Sequence, residues 1–262
     1  MAFQSKRRDS EEEEIQYSDN IIQWQDAIGE KLDKMRSAEH VFSISQKGDF
    51  LLGVKAISET SEKLFSQLEK KELYLPYLEK MSEGRKQEWL TVRLLLKELL
   101  SGEEKEIHYH PSGQPYFADN SYFLSISHTK GYVAVILNKH HPVAIDIENI
   151  SPRIEKIQER FLSEREKENL SKENRLNHLL LHWAAKECLF KILGEEGVEY
   201  KSHLHIQKFQ PLSKQWDSFS AKETRTDKRE SYTIDYYISD DFVLSLINGS
   251  QKKGLPLQND YD

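Results

Sequence analysis

Residues 179–193 read Leu-Leu-Leu-His-Trp-Ala-Ala-Lys-Glu-Cys-Leu-Phe-Lys-Ile-Leu. A helix that is apolar on nearly every face has to be buried, so the rest of the chain must cover it on several sides. Three charges interrupt it, Lys186, Glu187 and Lys191, and charges carried into an interior need partners. Glu187 and Lys191 stand four apart, which alone makes an ordinary helix ion pair. That pairing leaves Lys186 unexplained in so apolar a stretch and favours a functional use of these charges.

The chain has 262 residues, enough for one large domain or two small lobes. It is 37% hydrophobic and 31% charged, with a formal net charge of -7 spread as mixed signs. No stretch gathers the Lys and Arg surplus of a nucleic-acid groove. A single cysteine, Cys188, excludes an intramolecular disulfide. No apolar run approaches the length of a membrane span, and residues 1–20 lack a signal-peptide core. These features predict a cytoplasmic protein that uses neither nucleic acid nor membrane.

Residues 1–20, with Lys6 to Arg8 followed by Glu11 to Glu14, bury almost nothing and are expected to be a disordered leader; 249–262 are expected to be a loose tail. Between them strand and helix patterns alternate. Strands are expected around Gly48 within 39–54, in a hairpin over 107–117 turning at Pro111-Ser112-Gly113, at 122–127 and 132–137 as a pair, and at 143–148. Later strands are expected at 204–209, 232–238 and 242–247. Helical patterns cover 58–81, broken near Pro76, then 85–100, 153–170 and 177–193.

Two short echoes run through this order. Ser43-Ile44-Ser45-Gln46 before Gly48 matches Ser125-Ile126-Ser127-His128 before Gly131, and Trp89, Leu95 and Lys97 repeat as Trp183, Leu189 and Lys191. Together they suggest a duplicated unit. The expected class is α+β, as two similar α/β lobes, 21–138 and 139–248, related by a pseudo-twofold with the active site in the cleft between them.

In Pro142-Val143-Ala144-Ile145-Asp146-Ile147-Glu148, strand alternation turns Val143, Ile145 and Ile147 one way and Asp146 and Glu148 the other, about 7 Å apart. Such a carboxylate pair suits magnesium sharing its shell with phosphates; it also suits an ordinary solvated strand face. Glu187 could complete a carboxylate cage with Asp146, with the two lysines directed to phosphate oxygens. His128, ending a strand before a turn, can donate to a phosphate or serve the fold. Ser163 through Glu166 reads as a capping box, leaving Glu166 between a structural and a catalytic role. His178 and His182 have the spacing of a zinc pair but no evident third ligand, and are expected to be structural or exposed. His140-His141 is expected in a turn, and Cys188 as an inert core thiol.

Five motifs in order resemble the 4′-phosphopantetheinyl transferase superfamily in its two-lobed single-chain form. They are Gly113-Gln114-Pro115, Ser125 to His128, Ala144 to Glu148, Arg160-Phe161-Leu162-Ser163 through Glu166, and Trp183 to Glu187 with Lys191. The resemblance extends more weakly over 85–100. It implies magnesium-dependent transfer of 4′-phosphopantetheine from coenzyme A to a serine of an acyl or peptidyl carrier protein, releasing 3′,5′-ADP, by a chain able to act as a monomer. The alternative is a non-catalytic module that binds coenzyme A or the carrier on the same fold. Asp146, Glu148 and Glu187 would hold the metal. Arg85, Arg93, Gln114, Ser127, His128, Lys186 and Lys191 would bind coenzyme A. Glu187, Glu166 and Lys191 would be catalytic, with Glu187, Glu166 or a metal-bound water as the acceptor of the serine proton, a choice the sequence does not make. The sequence departs from the family's pattern at Gln114, where a cation is usual, and at Ala144, where glycine is usual.

Overall fold

The computed structural model describes residues 44–46 and 50–249. The expected leader, the start of the first lobe up to residue 43, and the tail beyond 249 lie outside the described residues. Two antiparallel hairpins build the first sheet: β1 (Ile44–Gln46) with β2 (Phe50–Ala56), and β5 (Phe123–Thr129) with β6 (Tyr132–Asn138), in the order β1-β2-β6-β5. The second sheet takes β7 (Val143–Asn149), β8 (Leu204–Ile206), β9 (Trp216–Glu223), β10 (Ser231–Ile238) and β11 (Phe242–Asn248), in the order β7-β11-β10-β9-β8 with every pairing antiparallel. The small hairpin of β3 (Ile107–Tyr109) and β4 (Pro115–Phe117) stands apart, turning through Gly113 at φ 86°.

Helices α1 (Ser61–Ser66), α2 (Lys71–Leu78) and α3 (Glu83–Leu99) follow β2. The break expected near Pro76 lies at 67–70 instead, and Pro76 is inside α2. The buried carboxylate of Glu104 accepts the backbone N–H groups of Glu69 and Lys70 there, satisfying donors that a helix start leaves open. Between β7 and β8 lie a 3-10 turn (Pro152–Lys156), α4 (Gln158–Phe161), α5 (Glu164–Glu168), α6 (Arg175–Leu193) and α7 (Tyr200–His203). The single helix expected over 153–170 is therefore three pieces. Leu162 is extended, and Ser163 restarts the helix with a complete capping box to Glu166.

Strand alternation sorts the side chains into four layers. Val133, Val135 and Leu137 of β6 pack under Val92, Leu95, Leu96 and Leu99 of α3. Ala134 and Ile136 face the other way, with Leu52 and Val54, against Val143, Ile145, Ile147, Leu244 and Leu246 of the second sheet. The opposite face of the second sheet, with Ala144, Val243 and Ile247, carries α6 through Leu181, Ala184, Ala185 and Leu189. The order is α3, first sheet, second sheet, α6. Sheets covered on both faces explain unbroken apolar runs such as Val133 to Leu137.

The strand echo does not relate the two sheets: β1 and β5 are the opposite edges of one sheet. The helix echo falls on α3 and α6, which cover different sheets. Ala144 is fully buried within the core beneath α6, so its methyl is accommodated by packing.

Candidate active site

The two inner sheets meet where β5 runs beside β7, and the charged residues singled out above gather along that seam and under the end of α6. Asp146 is 5% exposed. Its Oδ1 accepts from Ser127 Oγ at 2.8 Å and from Lys191 Nζ at 2.7 Å. Its Oδ2 is buried with no hydrogen-bond partner. Such an atom is costly to bury, and here a carboxylate oxygen is presented for a ligand. Lys191 also donates to the Ile145 carbonyl at 2.7 Å, tying α6 to β7.

Glu148 accepts from Trp183 Nε1 at 2.8 Å, and Glu187 accepts from the Tyr200 hydroxyl at 3.0 Å. Burial, then the charges of Asp146 and Glu187, push the Glu148 carboxyl up to about 7, against the pull of Trp183. Burial and Asp146 likewise raise Glu187. Burial raises Asp146, with Lys191 opposing. Burial works to lower Lys191, but Asp146 and its neighbours outweigh it and hold the ammonium charged. Three carboxyls that discourage one another's ionisation are a locus for a cation.

Among the described residues no three His, Cys, Asp or Glu side chains are drawn to ligating distance together. Even so, the donor set fits a hard divalent ion. It is all carboxylate oxygen, it carries mutual repulsion, and one buried oxygen is without a partner.

Across the seam, His128 is exposed at the end of β5, with Nε2 3.2 Å from both Glu88 Oε2 and Arg85 Nη1. Arg85 itself pairs with Glu88 at 3.0 Å. Burial lowers the His128 pKa, Glu88 counters it, and Arg85 and Lys191 add to the lowering. His128 and Arg85 thus form a cationic and hydrogen-bonding rim facing the carboxylates. Gln114 is exposed and lies beside the end of α6, with its Oε1 3.8 Å from where a Cβ on Gly194 would stand.

Four of the expected site residues are committed elsewhere. Lys186 is fully buried and donates to the Phe161 carbonyl at 2.6 Å, Glu166 Oε2 at 2.8 Å and the Tyr200 carbonyl at 2.9 Å. An ammonium has three protons, so none is left for a coenzyme A phosphate. Glu166 is 3% exposed; its Oε1 accepts from Ile206 N–H, and its Oε2 from Ser163 and Lys186. Burial pushes it up, yet Lys186 and these N–H donors hold it below the usual carboxylate range, the wrong direction for a proton acceptor. Arg93 is 5% exposed, donates to the Trp89 carbonyl and packs its guanidinium over the Trp89 ring at 2.9 Å. Its place is against Tyr74 and Trp89 in the core around α3 rather than on a nucleotide. Ser127 is 7% exposed, and its hydroxyl is spent on Asp146 and Ile147.

Trp183, Tyr200 and Glu88 were not among the expected site residues. Trp183 left a signal, standing one helical turn before Glu187. Tyr200 left none, because it meets Glu187 only through the path of α7. His178 and His182 are buried and stacked near Phe209, and burial takes them down to about 3 and about 4. They are neutral core residues. His140 and His141 lie in a turn held by Asn138. The Cys188 thiol is buried, donates to the Ser245 carbonyl and is pushed well up by burial.

No described helix is long and apolar enough to cross a membrane. No curated protein matches the chain. The model of the 4′-phosphopantetheinyl transferase superfamily matches residues 142–247, the span that carries Asp146, Glu148, Glu187 and Lys191.

Proposed function

We propose that the protein transfers the phosphopantetheine arm of coenzyme A to a serine of an acyl or peptidyl carrier protein in a magnesium-dependent reaction. The observation that carries this reading is Asp146, with Oδ1 pinned by Ser127 and Lys191 and Oδ2 buried without a partner, inside the segment matched by the superfamily. Asp146, Glu148 and Glu187 would hold magnesium, which when bound neutralises charge on the coenzyme A pyrophosphate.

The chain's own residues do the rest. Arg85 and His128 bind phosphate oxygens from the first-sheet side. Lys191 keeps Asp146 oriented and opposes the negative charge that grows on the pyrophosphate. The serine Oγ attacks the β-phosphorus, the bond from that phosphorus to the bridging oxygen breaks, and 3′,5′-ADP leaves with the electron pair. In this reading Glu187 also accepts the serine proton. The same reading makes the two sheets with their outer helices the duplicated lobes of a monomer acting in the cytoplasm.

The test is intact mass spectrometry of an apo carrier protein incubated with the protein, coenzyme A and magnesium. A gain of one phosphopantetheine arm, lost on chelation, supports the reading. Binding of coenzyme A with no gain across fatty-acid, polyketide and peptide carriers overturns it in favour of a non-catalytic module.

A further inference from the structure

We infer that a ladder of side-chain hydroxyls joins β5 to β7, and that its central rung, Ser127, is a positioning residue that orients the Asp146 carboxylate. β7 is the edge strand of the second sheet, hydrogen-bonded to β11 on one side. The N–H groups on its other side, those of Ile145, Ile147 and Asn149, would be left open at an edge. Three hydroxyls of β5 accept them: Ser125 Oγ from Ile145 at 3.2 Å, Ser127 Oγ from Ile147 at 3.3 Å and Thr129 Oγ1 from Asn149 at 3.2 Å. Both strands advance by two residues per rung, so they run parallel, with hydroxyls standing where a neighbouring strand's carbonyls would be.

The rungs are not equivalent. A serine hydroxyl has one proton and two lone pairs. Ser127 accepts from Ile147 and still donates, and its proton goes to Asp146 Oδ1, the oxygen that Lys191 also holds. Two donors on one oxygen stop the carboxylate from turning and leave Oδ2 as the free face. Ser125 supports the backbone one rung earlier without touching a carboxylate. Alternation on β5 makes this possible, since Leu124 and Ile126 pack toward α3 while Ser125 and Ser127 face the seam.

This role rests on Asp146 being a metal ligand, and the comparison of Ser127→Ala with Ser125→Ala separates it from support of the fold. Both variants remove one acceptor for a buried N–H, so both are expected to lose similar thermal stability. Free Mn²⁺ would be followed by electron paramagnetic resonance in titrations of the full chain, without coenzyme A or carrier. The wild type and Ser125→Ala are expected to bind within about twofold of each other. Ser127→Ala is expected to bind about tenfold more weakly, the scale seen when a group that orients a metal ligand is lost. Ser127→Thr, which keeps the hydroxyl, is expected to restore binding. If the alanine variant does not fold, Ser127→Cys, a weak donor of similar size, makes the same comparison. Equal weakening in Ser125→Ala, or no weakening in Ser127→Ala, overturns the positioning role while leaving the metal reading intact. Absence of Mn²⁺ binding by the wild type overturns both.

Discussion

At the scale of single residues, the same charge type has opposite fates according to what lies across from it. Asp146 and Glu166 are both buried carboxylates paired to lysines of α6. Glu166 has donors on both oxygens, whereas Asp146 keeps one oxygen free. Asp146→Ala is therefore expected to lower phosphopantetheine transfer by at least about a hundredfold, with an unchanged far-ultraviolet circular dichroism spectrum. Glu88 occupies the gap between Arg85 and His128, where the proposed phosphate would have to displace it. Glu88→Gln is expected to lower the KM for coenzyme A by about two- to fivefold, the scale of an exposed ion pair, with kcat little changed. Asp235 supplies a pH test away from the site. Burial, aided by Asp217, raises its carboxyl from 3.8 to about 7. A carboxyl raised by folding makes the native state hold its proton longer, so stability falls as pH rises from its unfolded value to its folded one. Asp235→Asn removes that loss. Its advantage in urea unfolding should be near zero around pH 4 and grow to a few kcal/mol above about pH 7.

At the scale of elements, the link between α5 and α6 is the sharpest difference between expectation and structure. The capping box at Ser163 was legible from spacing, because a cap is a local arrangement. That Glu166 also holds Lys186 and the N–H of Ile206 was not, because these partners lie 20 and 40 residues away. Glu166→Ala would leave the Lys186 ammonium buried and unpaired, at a cost of about 3–5 kcal/mol. Denaturant unfolding should show that loss while kcat per folded molecule is retained; a selective fall in kcat would return Glu166 to the chemistry. The small β3–β4 hairpin was readable from its Pro-Ser-Gly turn. β9 was missed because Ser218, Ser220 and Lys222 alternate with a buried face of Phe219, Ala221 and Glu223, in which only one residue is large and apolar.

At the scale of the whole molecule, the layer between the sheets decides how independent the two halves are. Val143, Ile145, Ile147, Leu244 and Leu246 are buried only because Leu52, Val54, Ala134 and Ile136 cover them. A fragment beginning at Pro142 would expose this face. It is expected to self-associate or aggregate in size-exclusion chromatography rather than give a monomer with a cooperative unfolding transition. The segment 142–247 thus needs the first sheet for packing, as well as for the proposed contribution of Arg85 and His128. The sequence by itself determined what depends on neighbours along the chain: the hairpins, the burial of most of 179–189, the carboxylate face of β7 and the order of the motifs; Phe190 is exposed and 191–193 are half-buried. The tertiary structure alone decided which charges are spent. Lys186 and Glu166 are saturated, Ser127 is turned to Asp146 and Ile147, and Asp146 keeps a free oxygen, because hydrogen-bond partners are supplied by strands and helices far away in sequence, and only folding brings them within 3 Å or so.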